Sequence, residues 1–104
     1  MTYTTGIDVS KENLDCAFRV DIDQAKAKRK RFRNDPKDFD SLLAWAETLA
    51  GVGCQDIAFI VEPTSIYHEL LVAFLHKAGA TVYLVNPARV RKFAEGIGML
   101  SKND

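Results

Sequence analysis

Three carboxylates stand at positions where acids are unusual. Asp8 lies inside the apolar run Tyr3-Thr4-Thr5-Gly6-Ile7-Asp8-Val9, Glu62 ends a second run, Ile57-Ala58-Phe59-Ile60-Val61-Glu62, and Asp104 is the last residue of the sequence. An ionised carboxylate at a central strand position has to be desolvated or neutralised, and isolated charges almost never stay buried unless paired or bound to metal. Two such acids on strands point to a divalent cation, for which carboxylate oxygens are natural hard ligands. A plainer reading stands beside this one: Asp8 caps the turn Val9-Ser10-Lys11-Glu12, and Glu62 caps the helix that follows it. His68 and His76 do not extend the ligand set, because they fall eight apart and lack the four-residue spacing of a helical His pair.

The elements that must position these acids can be read from periodicity and punctuation. Residues 3 to 9, 13 to 20 and about 26 to 33 form three strands joined by short polar connections. Asn34-Asp35-Pro36 starts a helix whose apolar positions, Phe39, Leu42, Leu43, Ala46, Leu49 and Ala50, recur at helical spacing until Gly51. Trp45 falls near that stripe and is read as a core residue. Residues 56 to 62 form a fourth strand. Thr64 or Ser65 then caps a second helix with the apolar face Tyr67, Leu70, Leu71, Phe74, Leu75 and Ala78, closed by Gly79. Ala80 to Val85 is a short continuous apolar run, expected to be a strand covered on both faces. Asn86-Pro87 opens a last helix packing Val90, Phe93, Ala94 and Ile97 inward.

A chain of 104 residues, 47% hydrophobic and 27% charged, has the length and composition of one globular domain. No apolar run is long enough to span a bilayer, and Met1-Thr2-Tyr3 leads straight into a strand, so a cytoplasmic location is expected. The two cysteines, Cys16 and Cys54, lack Cys-x-x-Cys spacing and are read as small buried apolar residues. Net charge is zero, which excludes a generic polycation. The basic residues are nonetheless clustered. Lys26, Lys28, Arg29, Lys30, Arg31 and Arg33 crowd the third strand, where edge protection is favoured over nucleic-acid contact. Arg89, Arg91, Lys92 and Lys102 lie between Glu62 and Asp104 in sequence and have the better case for phosphate binding.

Four sequence motifs occur in order along the chain: Gly6-Ile7-Asp8-Val9-Ser10-Lys11, Val61-Glu62-Pro63-Thr64-Ser65-Ile66-Tyr67, Val85-Asn86-Pro87-Ala88-Arg89-Val90-Arg91-Lys92-Phe93-Ala94, and Lys102-Asn103-Asp104. Together they resemble the amino-terminal domain of the DEDD transposases of bacterial insertion sequences, the one-ten group, whose catalytic domain is similar to the RuvC Holliday-junction resolvase. The resemblance implies an α/β, ribonuclease-H-like mixed five-stranded sheet of order 3-2-1-4-5 with flanking helices. Residues 1–104 would be one incomplete domain, ending before the final helix and without the carboxy-terminal domain that supplies a nucleophilic Ser. The family's first Asp falls on Asp8, its Glu on Glu62 and its third acid on Asp104, while the fourth falls beyond the end of the chain. Where the family usually has Gly, this chain has Ser65.

The implied chemistry is phosphodiester cleavage or strand transfer at insertion-sequence ends, which needs an activated oxygen nucleophile and relief of charge on the leaving oxygen. Two Mg²⁺ or Mn²⁺ ions about 3.5 to 4 Å apart supply both. On this reading Asp8 bridges the ions, Glu62 holds one and Asp104 the other, and Lys11, Arg89, Arg91, Lys92 and Lys102 face nucleic acid. The implied partners are DNA, a structured guide RNA and further copies of the chain, since an uncovered sheet face invites association. With an incomplete set of acids, the fragment alone is expected to be inactive. Two other classes compete: the nucleotide-binding arm of an actin-like ATPase or sugar kinase, and a nucleic-acid-binding remnant without activity. Metal binding without ATP binding would separate the first reading from the kinase arm.

Overall fold

A computed structural model describes residues 1–21, 27–63 and 65–85. Five strands form one sheet: β1 (Tyr3–Val9), β2 (Asn13–Val20), β3 (Lys28–Arg33), β4 (Ile57–Glu62) and β5 (Thr81–Leu84). Helix α1 (Pro36–Ala50) connects β3 to β4 through a 3₁₀ turn at Cys54–Asp56, and α2 (Glu69–Lys77) connects β4 to β5. The spatial order is β3-β2-β1-β4-β5, as expected. Strands β1, β2 and β3 run as an antiparallel meander, while β1, β4 and β5 are parallel.

Alternation along the strands gives the sheet two unlike faces. Ile7 and Val9 on β1, Leu14 and Cys16 on β2, Phe32 on β3, and Ile57, Phe59 and Val61 on β4 are buried on one face. Phe39, Leu42 and Ala46 of α1 and Leu71 and Leu75 of α2 complete the same core. Fully burying an aliphatic or aromatic side chain is worth about 1.5–3 kcal/mol, so this layer carries most of the driving force. Trp45 packs edge-on against Phe32 at 5.7 Å and Phe18 at 6.4 Å between ring centres, in keeping with a core role. Cys16 and Cys54 are both buried as free thiols. The opposite face bears Thr4, Gly6 and Asp8, their register partners on β2 and β4, and Tyr83. Tyr83 is 54% exposed.

Helix α1 is closed at both ends by its own sequence. Asp35 accepts from the Asp38 amide at 2.9 Å, Pro36 occupies the first turn, and Gly51 takes the left-handed conformation (φ 74°) that ends the helix. Helix α2 departs from the sequence expectation. It begins at Glu69 behind His68, with no side-chain cap, and Ser65 instead adopts a left-handed turn (φ 56°). Thr64 lies outside the described residues. The inner face of α2 consequently consists of Leu71 and Leu75, with Phe74 and Val72 half-buried, whereas Tyr67, Leu70 and Ala78 point outward. Strand β5 also differs: it is the outer strand next to β4, and its residues Tyr83 and Leu84 are about half exposed rather than covered on both faces. The expected last helix, from Asn86 onward, falls outside the described residues.

Candidate metal and nucleic-acid site

Asp8 and Glu62 are direct register partners on the adjacent parallel strands β1 and β4. Neighbouring strands lie about 4.8 Å apart, so both carboxylates rise side by side from the open face near the carboxyl ends of their strands. That rim is where open α/β sheets generally bind ligands. The parallel pairing of β1, β4 and β5 puts their carboxyl ends on one rim. The described pocket lined by Tyr3, Asp56, Ile57 and Thr81 opens at the opposite end of the same strands, away from both acids.

The two acids differ in environment. Asp8 is exposed, which corrects the expectation of a buried strand carboxylate: no described helix packs on its face. Glu62 is half-buried, and its pKa is pushed up, first by burial and then by the neighbouring Asp8 charge. The turn after β1 is closed by Ser10 rather than Asp8. Ser10 Oγ donates to the Asn13 carbonyl at 3.1 Å and accepts from the Asn13 amide at 3.2 Å. Helix α2 starts seven residues beyond Glu62, at Glu69, so Glu62 is not its cap either.

Two residues of this rim had no signal in the sequence. Asp15 stands opposite Asp8 on β2, which extends the row of acids to Asp15, Asp8 and Glu62. Arg31, its partner on β3, holds it with Nε to Oδ1 at 2.7 Å and Nη2 to Oδ2 at 3.4 Å. Asn34 donates its side-chain amide to the carbonyls of Ser10 and Tyr67, each at 2.9 Å. It thereby ties the turn after β1 to the entry of α2, the two loops that follow Asp8 and Glu62. Only the strand register reveals Asp15, and Tyr67 lies too far from Asn34 in sequence for local reading to join them.

The acids fit a hard divalent cation. Oxygen donors of like charge stand together, and Glu62 has its pKa raised first by burial and then by the Asp8 charge, both of which a bound cation would offset. Among the described residues no group of three or more His, Cys, Asp or Glu side chains converges on one point, and Asp15 is drawn aside by Arg31. Lys11 is exposed in the turn directly after β1. Asp104, Arg89, Arg91, Lys92 and Lys102 lie outside the described residues.

A central antiparallel meander followed by two parallel crossovers, with acids on the first and fourth strands, defines the ribonuclease-H-like class. The DEDD transposase family of the IS110 group, described as transposase, matches residues 5–104, and the chain belongs to that family. Comparison with curated proteins gives no significant match. Among solved structures, T. thermophilus RuvC in complex with a Holliday junction substrate superposes with a TM-score of 0.55 at 14% identity, covering 88% of this chain and 69% of that one. A Bacteroides thetaiotaomicron protein with an actin-like ATPase fold superposes with a TM-score of 0.62 at 17% identity, covering 84% of this chain. This chain spans about a third (34%) of that protein's length. At such identities both likenesses are of fold.

Among the described residues no helix is long and apolar enough to cross a membrane.

Proposed function

We propose that this chain contributes to the phosphodiester-cutting centre of a DNA transposase, with Asp8 and Glu62 as catalytic metal-holding acids and Asp104 as a third. The observation that carries this is the register pairing of Asp8 with Glu62 at the carboxyl rim of the sheet, in a chain of the transposase family. Mg²⁺ or Mn²⁺ bound there would relieve the repulsion between the acids and supply charge stabilisation for attacking and leaving oxygens. Asp8 and Glu62 would hold such an ion beside the reacting phosphate, and Asn34 would keep the two flanking loops in place while Lys11 meets the backbone beside the site. On the same reading residues 1–104 form the amino-terminal RuvC-like domain. Its partners are insertion-sequence ends, target DNA and a structured guide RNA, with Arg89, Arg91, Lys92 and Lys102 on the nucleic-acid side. Exposed Tyr83 and Leu84 at the outer strand offer apolar surface for association into a homo-oligomer, and the bacterial cytoplasm is the compartment.

Calorimetric titration with Mn²⁺ tests the site. Wild type is expected to bind, and Asp8→Asn and Glu62→Gln to bind more weakly. Equal binding by all three would remove the metal from this rim. A second reading, the nucleotide-binding arm of an actin-like ATPase, is favoured by the fold likeness to the Bacteroides protein. Titration with ATP separates the two: heat with ATP and none with Mn²⁺ alone selects the nucleotide reading.

A further inference from the structure

The basic residues of β3 are sorted by face. Arg29, Arg31 and Arg33 pair in register with Ala17, Asp15 and Asn13 of β2, which puts all three on the face that carries Asp8 and Glu62. Lys28 and Lys30 alternate with them and so belong to the helix-bearing face, where Lys30 Nζ sits 5.3 Å from the centre of the Phe32 ring. Edge protection needs charge on the outer strand, and either face would serve it. It does not account for guanidinium groups alone appearing beside the acids. Arginine differs from lysine in its planar fork of donors, which matches phosphate oxygens two at a time.

A fourth guanidinium joins them from the middle of the sheet. Arg19 on β2 is half-buried and extends over Gly6, its Nη1 lying 3.8 Å from the position a Cβ on Gly6 would take. Its Nε is buried without a hydrogen-bond partner among the described residues, an orphan donor in need of an acceptor. Arg29, opposite Ala17, is its diagonal neighbour on the same face, and burial first and then the like charge of Arg29 push the Arg19 pKa down. Arg31 is already matched by Asp15, and Arg33 reaches Asp35 only at 3.9 Å. Gly6 lies two residues before Asp8 on β1, about 6.8 Å along the strand. A positive strip therefore ends beside the acids.

We propose that Arg19 and Arg29, flanked by Arg31 and Arg33, form a track for the sugar-phosphate backbone of DNA that leads a strand across the open sheet face to Asp8 and Glu62. The track rests on the reading of this chain as a DNA-processing transposase domain, and it assigns to that site a substrate-holding surface on strands β2 and β3. Phosphate oxygens would satisfy the buried Arg19 Nε and relieve its repulsion with Arg29. The contact reads backbone and not sequence.

The test is fluorescence anisotropy of the 104-residue chain with short duplexes of two unrelated sequences and the matching RNA duplex, in EDTA, across a salt series. Arg19→Gln/Arg29→Gln is expected to weaken binding to both DNA duplexes alike by roughly tenfold and to lower the slope of log affinity against log salt by about 1.8, two phosphates' worth. Lys28→Gln/Lys30→Gln removes the same charge from the other face and should stay within about twofold of wild type, since it touches no phosphate. Arg19→Lys/Arg29→Lys should recover the slope and only part of the affinity. If Arg19→Gln impairs folding, Arg29→Gln alone carries the test through a slope change of about 0.9. Equal losses from the two faces, no loss from the arginine pair, or tighter arginine-dependent binding to RNA than to DNA would overturn the proposal. Because EDTA removes any metal, failure here leaves the Mn²⁺ titration of Asp8 and Glu62 standing, and failure of that titration leaves this result standing.

Discussion

Glu62→Gln should stabilise the metal-free protein. Glu62 and Asp8 are neighbours on parallel strands, and Glu62 has its pKa raised by burial and by Asp8. Two unit charges about 5 Å apart repel by about 0.8 kcal/mol at the dielectric constant of water and about 3 kcal/mol at an effective value of 20. Asp8 is exposed and Glu62 only half-buried, so the lower figure governs, and screening leaves about 0.5 kcal/mol. For a domain of this size that corresponds to a rise in Tm of roughly 2–4 °C. The assay is thermal unfolding by circular dichroism in low-salt buffer with EDTA at neutral pH. Asp8→Asn should shift Tm in the same direction.

The pH dependence has a definite sign. Glu62 binds its proton more tightly in the folded state than in the unfolded chain, so the folded state holds the excess proton between the ordinary glutamate pKa and the raised one. Stability falls as pH rises through that window, and Glu62→Gln should flatten this part of the profile. Mn²⁺ at tenfold its dissociation constant should return about 1.4 kcal/mol to wild type, and less to the variant. An unchanged or lower Tm in Glu62→Gln, or a gain that persists at high salt and low pH, would refute the repulsion on which the argument rests.

Three other changes follow from particular contacts. Ser65 holds a left-handed φ of 56°, so Ser65→Gly should raise stability by about 0.5–1 kcal/mol in urea unfolding, and Ser65→Val should lower it. Asn34→Ala deletes the two bonds to Ser10 and Tyr67 and should lower stability by about 1–2 kcal/mol, with faster amide exchange in the loops after Asp8 and Glu62 as the site-specific readout. Cys16, its thiol pushed up to about 12 by burial, and Cys54, shifted the same way, should resist a disulfide reagent at pH 8; labelling at the rate of a free thiol would mean that the core is open.

What the sequence disclosed and what it withheld divide along a physical line. The apolar runs of β1 and β4 and the capped periodicity of α1 are local signals, and the structure places these elements within a residue or so of the expected bounds. Asp8 and Glu62 could be paired in advance because the strand order follows from the succession of elements and the family motifs. The start of α2 differs from expectation because Ser65 reads as a cap by residue type, while its backbone takes a left-handed turn of the kind that favours Gly. Strand β5 is more exposed than expected because a continuous apolar run does not state how many faces are covered. The sorting of Arg29, Arg31 and Arg33 away from Lys28 and Lys30 was visible as alternation, but not which set faced the acids. A register slip of one residue exchanges the faces, and only the pairing of Asp15 with both Asp8 and Arg31 fixes it. That pairing changes the meaning of the basic cluster. As an edge guard, β3 would carry charge with no relation to the site. In the register the sheet adopts, one row runs Arg31, Asp15, Asp8, Glu62, so the arginines and the acids occupy one continuous surface. A polyanion laid along it would meet the arginines first and the Asp8–Glu62 pair last.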